Sequence, residues 1–322
     1  MRAIIQTAPG DADTLIVGEL PMPEPGPGQL RVRVRAAGIN RADIAQREGR
    51  YPPPPGAPET LGLEVAGEVD AVGIGSKDFA VGDRVMALVG GGGYAEYALV
   101  DAPLAVRLPD ELGFVEAATL PETWMTAWLN LIDLARLMPG DTALVHAGAG
   151  GVGAAAIQLA GLVGARAIAT AGTADKCTFC RQLGAELALN YRDDDVVAAL
   201  KAAGRADVVL DPVGGDSLSR NLACMNPGGR LVVIAFMAGR LAELDLAQLM
   251  VKHLTLIGST LRSRPLADKA RLAERLADTV LPAIASGRAR ITLDSSFPLA
   301  RAAEAHRYVE ANRNLGKVVL TV

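Results

Sequence analysis

The sequence predicts an α/β protein in which a doubly wound parallel sheet is joined to a mostly antiparallel β domain. Short strand patterns fill residues 1–120, whereas strand and helix patterns alternate from residue 121 onward. The chain has 322 residues, of which 50% are hydrophobic, so it can bury two cores. We predict a β domain at 1–120, a parallel-sheet domain at 121–264, and a tail at 265–322 that returns to the first domain.

The predicted β domain is recognised by alternation of apolar and polar residues. Residues 29–38 place Leu30, Val32 and Val34 on one face and arginines on the other. Further strands are predicted at 65–72, 84–88 and 94–100, separated by Gly, Pro and Asp turns. The proline run at 51–56 cannot be helical and forms either a plain spacer or the wall of a pocket.

The second half of the chain follows a strand and helix rhythm. Six strands are predicted at 143–145, 166–171, 187–191, 208–211, 230–235 and 254–259, with helical stretches between them. In the tail, helices are predicted at 266–286 and 300–310, and strands at 291–293 and 317–322. Six such strands are typical of a doubly wound sheet, and a cleft between the two domains is then the natural ligand site.

A glycine-rich turn joins the first of these strands to the first helix. Gly148, Gly150 and Gly153 fit the pattern G-x-G-x-x-G between an apolar strand and a small-residue helix. Such a turn lets backbone N–H groups approach a pyrophosphate at the start of a helix. The turn predicts a dinucleotide site.

The end of the next strand indicates which dinucleotide is bound. An NAD site usually offers Asp or Glu to the ribose 2′-hydroxyl, but this strand runs into Gly172 and Thr173, with Lys176 shortly after. A glycine, a hydroxyl and a cation favour a 2′-phosphate, so NADPH is the predicted cofactor. Asp175 is placed to cap the next helix. The alternative is that Lys176 is only a solvated residue of the first helical turn.

Charge and composition exclude several classes of protein. The net charge of −4 argues against a nucleic-acid partner. No stretch of 18 apolar residues and no basic start followed by an apolar run is present, so we expect neither membrane insertion nor export, and a cytoplasmic protein. Three cysteines do not make a disulfide scaffold, and Cys177 and Cys180 are expected to be packing residues.

Several separated motifs carry a family resemblance. They are Gly38-Ile39-Asn40-Arg41-Ala42-Asp43, Leu61-Gly62-Leu63-Glu64, Gly82-Asp83-Arg84-Val85, the glycine turn 146–153, and Asn190-Tyr191. Together they resemble the medium-chain dehydrogenase/reductase superfamily and, more narrowly, its zinc-independent quinone oxidoreductases of the zeta-crystallin branch. The resemblance spans the whole chain and implies a GroES-like first domain and a Rossmann second domain.

The resemblance also implies that no metal is bound. The zinc alcohol dehydrogenases of the superfamily place a Cys ligand where Asn40 stands and a His ligand where Leu63 stands, and neither residue here is a good zinc ligand. Glu64 and Glu122 remain nearby, but carboxylates alone would make a poor zinc site. His146, at the end of a strand, is expected to be a hydrogen-bonded structural residue rather than an acid.

The same resemblance supplies a map of the site. It places Asn40 and Tyr51 on the substrate side and Thr126 near the nicotinamide. The implied coenzyme residues are Gly148, Gly150, Gly151, Val152 and Gly153 at the pyrophosphate, Gly172, Thr173, Lys176 and Tyr191 at the 2′-phosphate, and Phe236, Met237, Ser259, Leu261 and Asn314 in loops over the ribose and nicotinamide. Asn40 has a plain alternative role, since asparagine readily bonds to the backbone of a turn.

Three functions remain open from the sequence. The first is NADPH-dependent, zinc-free reduction of a quinone by hydride transfer from nicotinamide C4. The second is reduction of an enoyl or alkenal double bond, for which Tyr51 is the candidate proton donor. The third is a non-enzymatic role as a structural, sensing or RNA-binding protein that binds NADPH. The family further implies a homodimer, and the apolar strand at 254–259 is a candidate for its interface.

Overall fold

The computed structural model describes residues 1–322, and the chain divides into two units. Unit 1 contains Met1–Met125, Arg262–Ala285 and Ile291–Val322, and unit 2 contains Thr126–Leu261 and Ser286–Arg290. Unit 1 extends past the predicted boundary at residue 120, and residues 286–290 of the predicted tail belong to unit 2. A hydrogen bond accompanies each of these two differences. The N–H of Glu122 donates to the Glu64 carboxylate of unit 1 at 2.8 Å. The N–H of Arg290 donates to Gln158 Oε1 of unit 2 at 2.6 Å.

The first part of unit 1 is mostly β-structure. Its strands are β1 (Arg2–Gln6), β2 (Leu15–Glu19), β3 (Gln29–Gly38), β4 (Glu64–Val72), β5 (Arg84–Leu88), β6 (Tyr97–Asp101) and β7 (Ala105–Arg107). Its helices are α1 (Arg41–Arg47) and α2 (Phe114–Ala117). Helix α3 (Pro121–Trp128) begins in unit 1 and ends in unit 2, where it continues as a π-helical turn, Leu129–Leu134. The strand predicted at 94–100 starts later because Tyr94 pairs irregularly, donating its N–H to Leu61 and accepting from Ile4.

Unit 2 alternates strands and helices as predicted. The strands are β8 (Thr142–Val145), β9 (Arg166–Ala171), β10 (Leu187–Asn190), β11 (Ala206–Asp211), β12 (Met225–Val233) and β13 (Thr255–Gly258). The helices are α4 (Gly151–Leu162), α5 (Ala174–Gln182), α6 (Val196–Ala202), α7 (Ser217–Cys224) and α8 (Leu246–Val251). All six strands are parallel in the order β10-β9-β8-β11-β12-β13, so their carboxyl ends share one edge of the sheet.

The returning tail completes unit 1. It contains α9 (Leu266–Arg275), a π-helical turn at Leu276–Val280, α10 (Leu281–Ala285), β14 (Leu293–Pro298), α11 (Ala302–Glu310) and β15 (Lys317–Thr321). The strand predicted at 291–293 begins at Leu293, where it pairs with Lys317 of β15. β15 also pairs with the end of β3, and the resulting sheet is antiparallel except for β14 and β15.

Each unit has its own hydrophobic core. In unit 1 the buried face of β3 contributes Leu30, Val32 and Val34, as its alternation predicts. In unit 2 the central strands contribute Leu144 and Val209. The predicted fold class, a doubly wound parallel sheet with a mostly antiparallel β domain, is confirmed. The structure has no helix with the length and apolar character needed to cross a bilayer.

Candidate active site

The glycine turn of unit 2 is shaped for close backbone contacts. A Cβ on Gly153 would lie 2.3 Å from the carbonyl oxygen of Ala147, and one on Gly148 would lie 2.8 Å from Ala169 Cβ. Gly150 caps α4 without a side chain, and the first backbone N–H of this helix with a backbone acceptor is that of Ala154. The N–H groups before it are left for another acceptor, which suits a phosphate.

A buried network of hydrogen-bonded side chains begins at His146, the first residue of this turn. His146 contacts Thr170 Oγ1 at 2.8 Å and Asn221 Oδ1 at 2.7 Å, and Asn221 Nδ2 donates to Asp211 at 2.9 Å. Because the carboxylate takes the Asn221 N–H, the amide oxygen faces His146, whose Nε2 therefore carries the hydrogen. Burial lowers the pKa of His146 below its usual value. His146 thus links β9 to α7 as a neutral residue, and the sequence did not reveal its partners.

The end of β9 lies against the end of β10. A Cβ on Gly172 would lie 2.7 Å from Tyr191 Oη, so the absence of a side chain lets this tyrosine approach. Thr173 caps α5 by accepting the N–H of Lys176 at 3.3 Å. The prediction that Asp175 caps this helix is therefore wrong, because its carboxylate is already inside the first turn. Thr173 keeps a hydroxyl hydrogen to donate.

The remaining predicted coenzyme residues fall into two groups. Phe236 and Met237 follow β12 and are half exposed, while Ser259 and Leu261 follow β13 at the same edge of the sheet. Ser259 Oγ is buried without a hydrogen-bond partner. Asn314 lies in unit 1, where its Nδ2 donates to the carbonyl of Gly316 at 2.7 Å. Its coenzyme role stays a prediction.

In unit 1, Asn40 begins α1 but does not cap it with its side chain. Its Nδ2 donates to Glu64 Oε1 at 2.9 Å, and its Oδ1 accepts from Lys317 Nζ at 2.8 Å. The plain alternative, an asparagine bonded only to its own turn, is therefore not what the structure shows. The sequence did not reveal Lys317 as a partner, because it lies 277 residues away along the chain.

Asp43 fixes the backbone on both sides of this cluster. Its carboxylate accepts the N–H of Asn40 at 2.8 Å and that of Gly62 at 3.1 Å. It also accepts the hydroxyl of Tyr94 at 3.2 Å, and Tyr94 contacts His306 Nε2 at 3.1 Å. Burial raises the pKa of Asp43 to about 6, against the lowering effect of these donors.

Tyr51 is partly buried and lies beside Arg262. The guanidinium carbon is 5.5 Å from the ring centroid, within range of a cation–π contact. Arg262 is itself held by two hydrogen bonds to the carbonyl of Gly90, at 2.8 and 2.6 Å, and one to Gln46 at 2.8 Å. Burial and the nearby Glu122 carboxylate raise the pKa of Tyr51. The sequence carried no signal for Arg262, because its side chain contacts only residues that are distant along the chain.

The residues around Asn40 do not fit a catalytic zinc. Glu64 Oε1 already accepts from Asn40 and Lys317, and Oε2 accepts the N–H of Glu122. The ammonium of Lys317 would repel a second cation at this point. No three His, Cys, Asp or Glu side chains are grouped to hold a metal ion. All three cysteines are buried, and burial raises the pKa of Cys180 to about 12, so none is a reactive thiolate.

Comparison with known proteins identifies the family. Residues 26–110 match the alcohol dehydrogenase GroES-like domain, and residues 151–278 match the zinc-binding dehydrogenase family. A quinone oxidoreductase from Pseudomonas aeruginosa is 36% identical over 294 residues, which cover 89% of each chain. The structure of Escherichia coli quinone oxidoreductase complexed with NADPH gives a TM-score of 0.90 at 30% identity, with both chains covered completely.

A polyketide synthase from Streptomyces halstedii, GfsB, is 37% identical over 294 residues, but this chain spans only 5% of that protein's length. The full-length relatives and solved structures carry the assignment. The chain therefore belongs to the medium-chain dehydrogenase/reductase superfamily, within the group that includes the quinone oxidoreductases.

Proposed function

We propose that this protein is an NADPH-dependent reductase of quinones that works without zinc. The observation that carries the proposal is the environment of Asn40, where a lysine ammonium and a fully bonded carboxylate leave no suitable site for a zinc ion. A quinone is electron-poor enough to accept hydride without a Lewis acid, whereas alcohol oxidation needs one or a strong base. The relatedness to quinone oxidoreductases supports the same acceptor class.

The residues of unit 2 fit a nicotinamide dinucleotide. The N–H groups of Gly151, Val152 and Gly153 would hold the pyrophosphate at the uncapped start of α4. The group at the ends of β9 and β10, namely Gly172, Thr173, Lys176 and Tyr191, would hold the 2′-phosphate. The unpartnered Ser259 hydroxyl is a polar group that a bound ribose or nicotinamide would satisfy. When bound, the reduced coenzyme supplies the hydride.

The chain's own contribution to the reaction is placement. Asn40 is held rigidly by Glu64 and Lys317, and Tyr51 is held by Arg262, so both offer a fixed surface to the acceptor. Proximity and orientation of this kind supply a large part of the rate of a two-reactant step. Neither His146 nor His306 is placed as a proton donor, because both are buried in hydrogen-bonded networks. For a quinone, water would deliver the proton to the product oxygen.

One alternative is supported by a specific observation. Reduction of an enone needs a proton at carbon, and Tyr51, whose ring lies against the anchored Arg262, is a phenol that can donate one. A fixed, protonated tyrosine on the substrate side is what such a reaction requires. Tyr51→Phe would then abolish reduction of enones and spare that of quinones.

The experiment is to follow NADPH oxidation with an ortho-quinone and, separately, with an α,β-unsaturated ketone, with a metal chelator present. We expect rapid, chelator-resistant turnover of the quinone. Turnover of the ketone alone would move the assignment to double-bond reduction. Binding of NADPH without oxidation by either acceptor would favour a non-enzymatic protein, and loss of activity with chelator would refute the zinc-free mechanism.

A further inference from the structure

A buried ion pair lies directly behind Asn40. Lys317 is 3% exposed and Glu64 is fully buried, and the two side chains meet at 2.5 Å. They come from β15 and β4, whereas Asn40 begins α1. Three distant parts of unit 1 therefore converge on one amide group.

The chemistry of this pair decides which way the amide faces. An ammonium group can only donate hydrogen bonds, and a carboxylate can only accept them. Asn40 Oδ1 therefore faces Lys317 Nζ at 2.8 Å, and Nδ2 faces Glu64 Oε1 at 2.9 Å. The flipped amide would set N–H against ammonium and oxygen against carboxylate, two repulsive contacts in a site shielded from water.

Nearly all hydrogen-bonding groups of the Lys317–Glu64 pair are already used within the protein. The ammonium uses its three hydrogens on the carbonyl of Ile39, on Asn40 and on Glu64, at 2.7, 2.8 and 2.5 Å. Glu64 Oε2 accepts the N–H of Glu122 at 2.8 Å. Asn40 Nδ2 has a second hydrogen for which the protein supplies no acceptor. This N–H is the one donor of the cluster that remains for a substrate.

We infer that Lys317 and Glu64 are positioning residues that make Asn40 present an N–H, and not its carbonyl oxygen, to a carbonyl oxygen of the hydride acceptor. The inference rests on the proposed function, because it concerns the acceptor. Hydride transfer oxidises the dihydronicotinamide and reduces a quinone by two electrons and one hydrogen, leaving negative charge on an oxygen until water protonates it. A hydrogen bond from an N–H group to that oxygen becomes stronger as the negative charge develops.

The selected class of acceptor follows from this arrangement. The Asn40 donor speeds the reduction of acceptors that carry a carbonyl oxygen conjugated to the reduced position. It does not speed the reduction of acceptors that lack such an oxygen. The benefit is greatest for quinones whose reduced oxygen is most basic, because a hydrogen bond to a more basic anion is stronger. Asn40 is the residue that touches substrate, and Lys317 acts through it.

Kinetics of three variants test the assignment. Asn40→Leu should lower kcat about a hundredfold, the cost typical of a lost oxyanion donor, with a much smaller change in KM. The charge-neutral double variant Lys317→Met with Glu64→Gln should show the same loss, because the amide is no longer oriented. Combining all three substitutions should lower kcat no further than Asn40→Leu alone. The loss should be larger for electron-rich quinones.

Lys252→Met is the matched control. This lysine also donates to three acceptors, the carbonyls of Leu222, Ala223 and Met225, and none of these is a predicted site residue. It should lose stability and keep kcat. An unchanged kcat in Asn40→Leu, or additive losses in the combined variant, would overturn the inference.

A titration that needs no turnover separates this inference from the proposed function. The full protein with bound NADP⁺ is titrated with 4-nitrophenol, whose phenolate is followed by its absorbance. An N–H at Asn40 should lower the pKa of the bound phenol by about one unit relative to the Asn40→Leu variant. A presented carbonyl would raise it, and either that result or an absence of any dependence on Asn40 would refute the inference even if quinones are reduced. Inactivity of the wild-type protein with a lowered pKa would refute only the proposed function.

Discussion

At the scale of single residues, we propose that the charge of one lysine decides which coenzyme binds. Lys176 follows Thr173 and Gly172 at the strand end where an NAD site would carry an acidic residue. Lys176→Glu should weaken NADPH by at least tenfold more than NADH, since it replaces a cation near the 2′-phosphate with an anion. Dissociation constants from fluorescence titration would measure both.

Lys201→Glu is the control for that comparison, because Lys201 is an exposed lysine in the last turn of α6. The same charge change there should leave the ratio of the two constants unaltered. Equal weakening of NADPH and NADH in Lys176→Glu would place the 2′-phosphate elsewhere.

Asp43 and His306, two buried side chains that both contact the hydroxyl of Tyr94, lead to a prediction about pH. Burial raises the pKa of Asp43 to about 6, and burial followed by the Arg47 charge lowers that of His306 to about 3. Below about pH 6, the folded state therefore binds a proton on Asp43 that the unfolded state does not. This raises the free energy of unfolding as pH falls. Below the usual pKa of histidine, the unfolded state binds a proton on His306 that the folded state does not. This lowers the free energy of unfolding as pH falls. The two effects oppose each other between about pH 4 and 6.

His306→Gln should remove the loss of stability at acid pH that arises from His306. Relative to the wild type, the variant's free energy of unfolding should rise by about 2–3 kcal/mol between pH 7 and 4.5, because the acid loss through His306 is gone. Urea unfolding at a series of pH values would measure the difference. His253→Gln, at an exposed histidine, is the control and should follow the wild-type profile. A constant offset between variant and wild type would contradict the assignment.

Sequence reasoning reached the residues that belong to local motifs and missed those whose partners are distant. The glycine turn was accessible because spacing along the chain reports it, and Asn40 was accessible through the family resemblance of the motif around it. Lys317 and Arg262 were not, because an isolated basic residue gives no sign of the carbonyls and carboxylates that will surround it. His306 lies 259 residues from Arg47, which it contacts, so its segment showed no chemistry.

At the scale of elements, helix α4 contains two glycines with opposite requirements. Gly153 lies against the turn, where a Cβ would approach within 2.3 Å of Ala147 and 2.7 Å of Gly148. Gly161 lies in the same helix with nothing within 4 Å of its Cβ position. One glycine is needed for packing of the helix on the strand, and the other only weakens the helix.

Substituting each glycine by alanine should therefore have opposite effects. Gly161→Ala should raise the free energy of unfolding by about 0.5–1 kcal/mol and leave coenzyme affinity unchanged. Gly153→Ala should lower stability and weaken both NADPH and NADH, because the turn must open to admit the methyl group. Thermal unfolding with and without coenzyme measures both quantities. Intact coenzyme binding by Gly153→Ala would remove the basis for placing the pyrophosphate at this turn.

Most elements were predictable because their periodicity is strong. The predicted ends of the six parallel strands lie within a few residues of the observed ends, because buried strands appear in the sequence as apolar runs bounded by turns. The errors lie where pairing is irregular, at the start of β6, at β14 and at β12, which begins at Met225 and not at residue 230. There, the pairing partner decides where a strand begins, and the partner of β14 is β15, which follows a whole helix later.

At the scale of the whole molecule, unit 2 has an open sheet edge beside an apolar surface. β13 pairs only with β12, and α8 just before it has no buried residue. Leu246, Met250 and Val251 of this helix are each more than 60% exposed. An unprotected edge strand and a contiguous apolar segment are typical of an interface. We propose that two copies of the chain pair here as a homodimer, as the family resemblance implies.

The variant Met250→Glu with Val251→Glu tests that dimer. It places two charges on the proposed interface, so the protein should become a monomer, since like charges would face each other across a two-fold axis. Light scattering coupled to gel filtration at micromolar concentration measures the mass. The matched control is Ile74→Glu with Val81→Glu, which changes two equally exposed apolar residues of unit 1. A wild-type monomer, or a dimer lost only in the control, would show that this surface is not the interface.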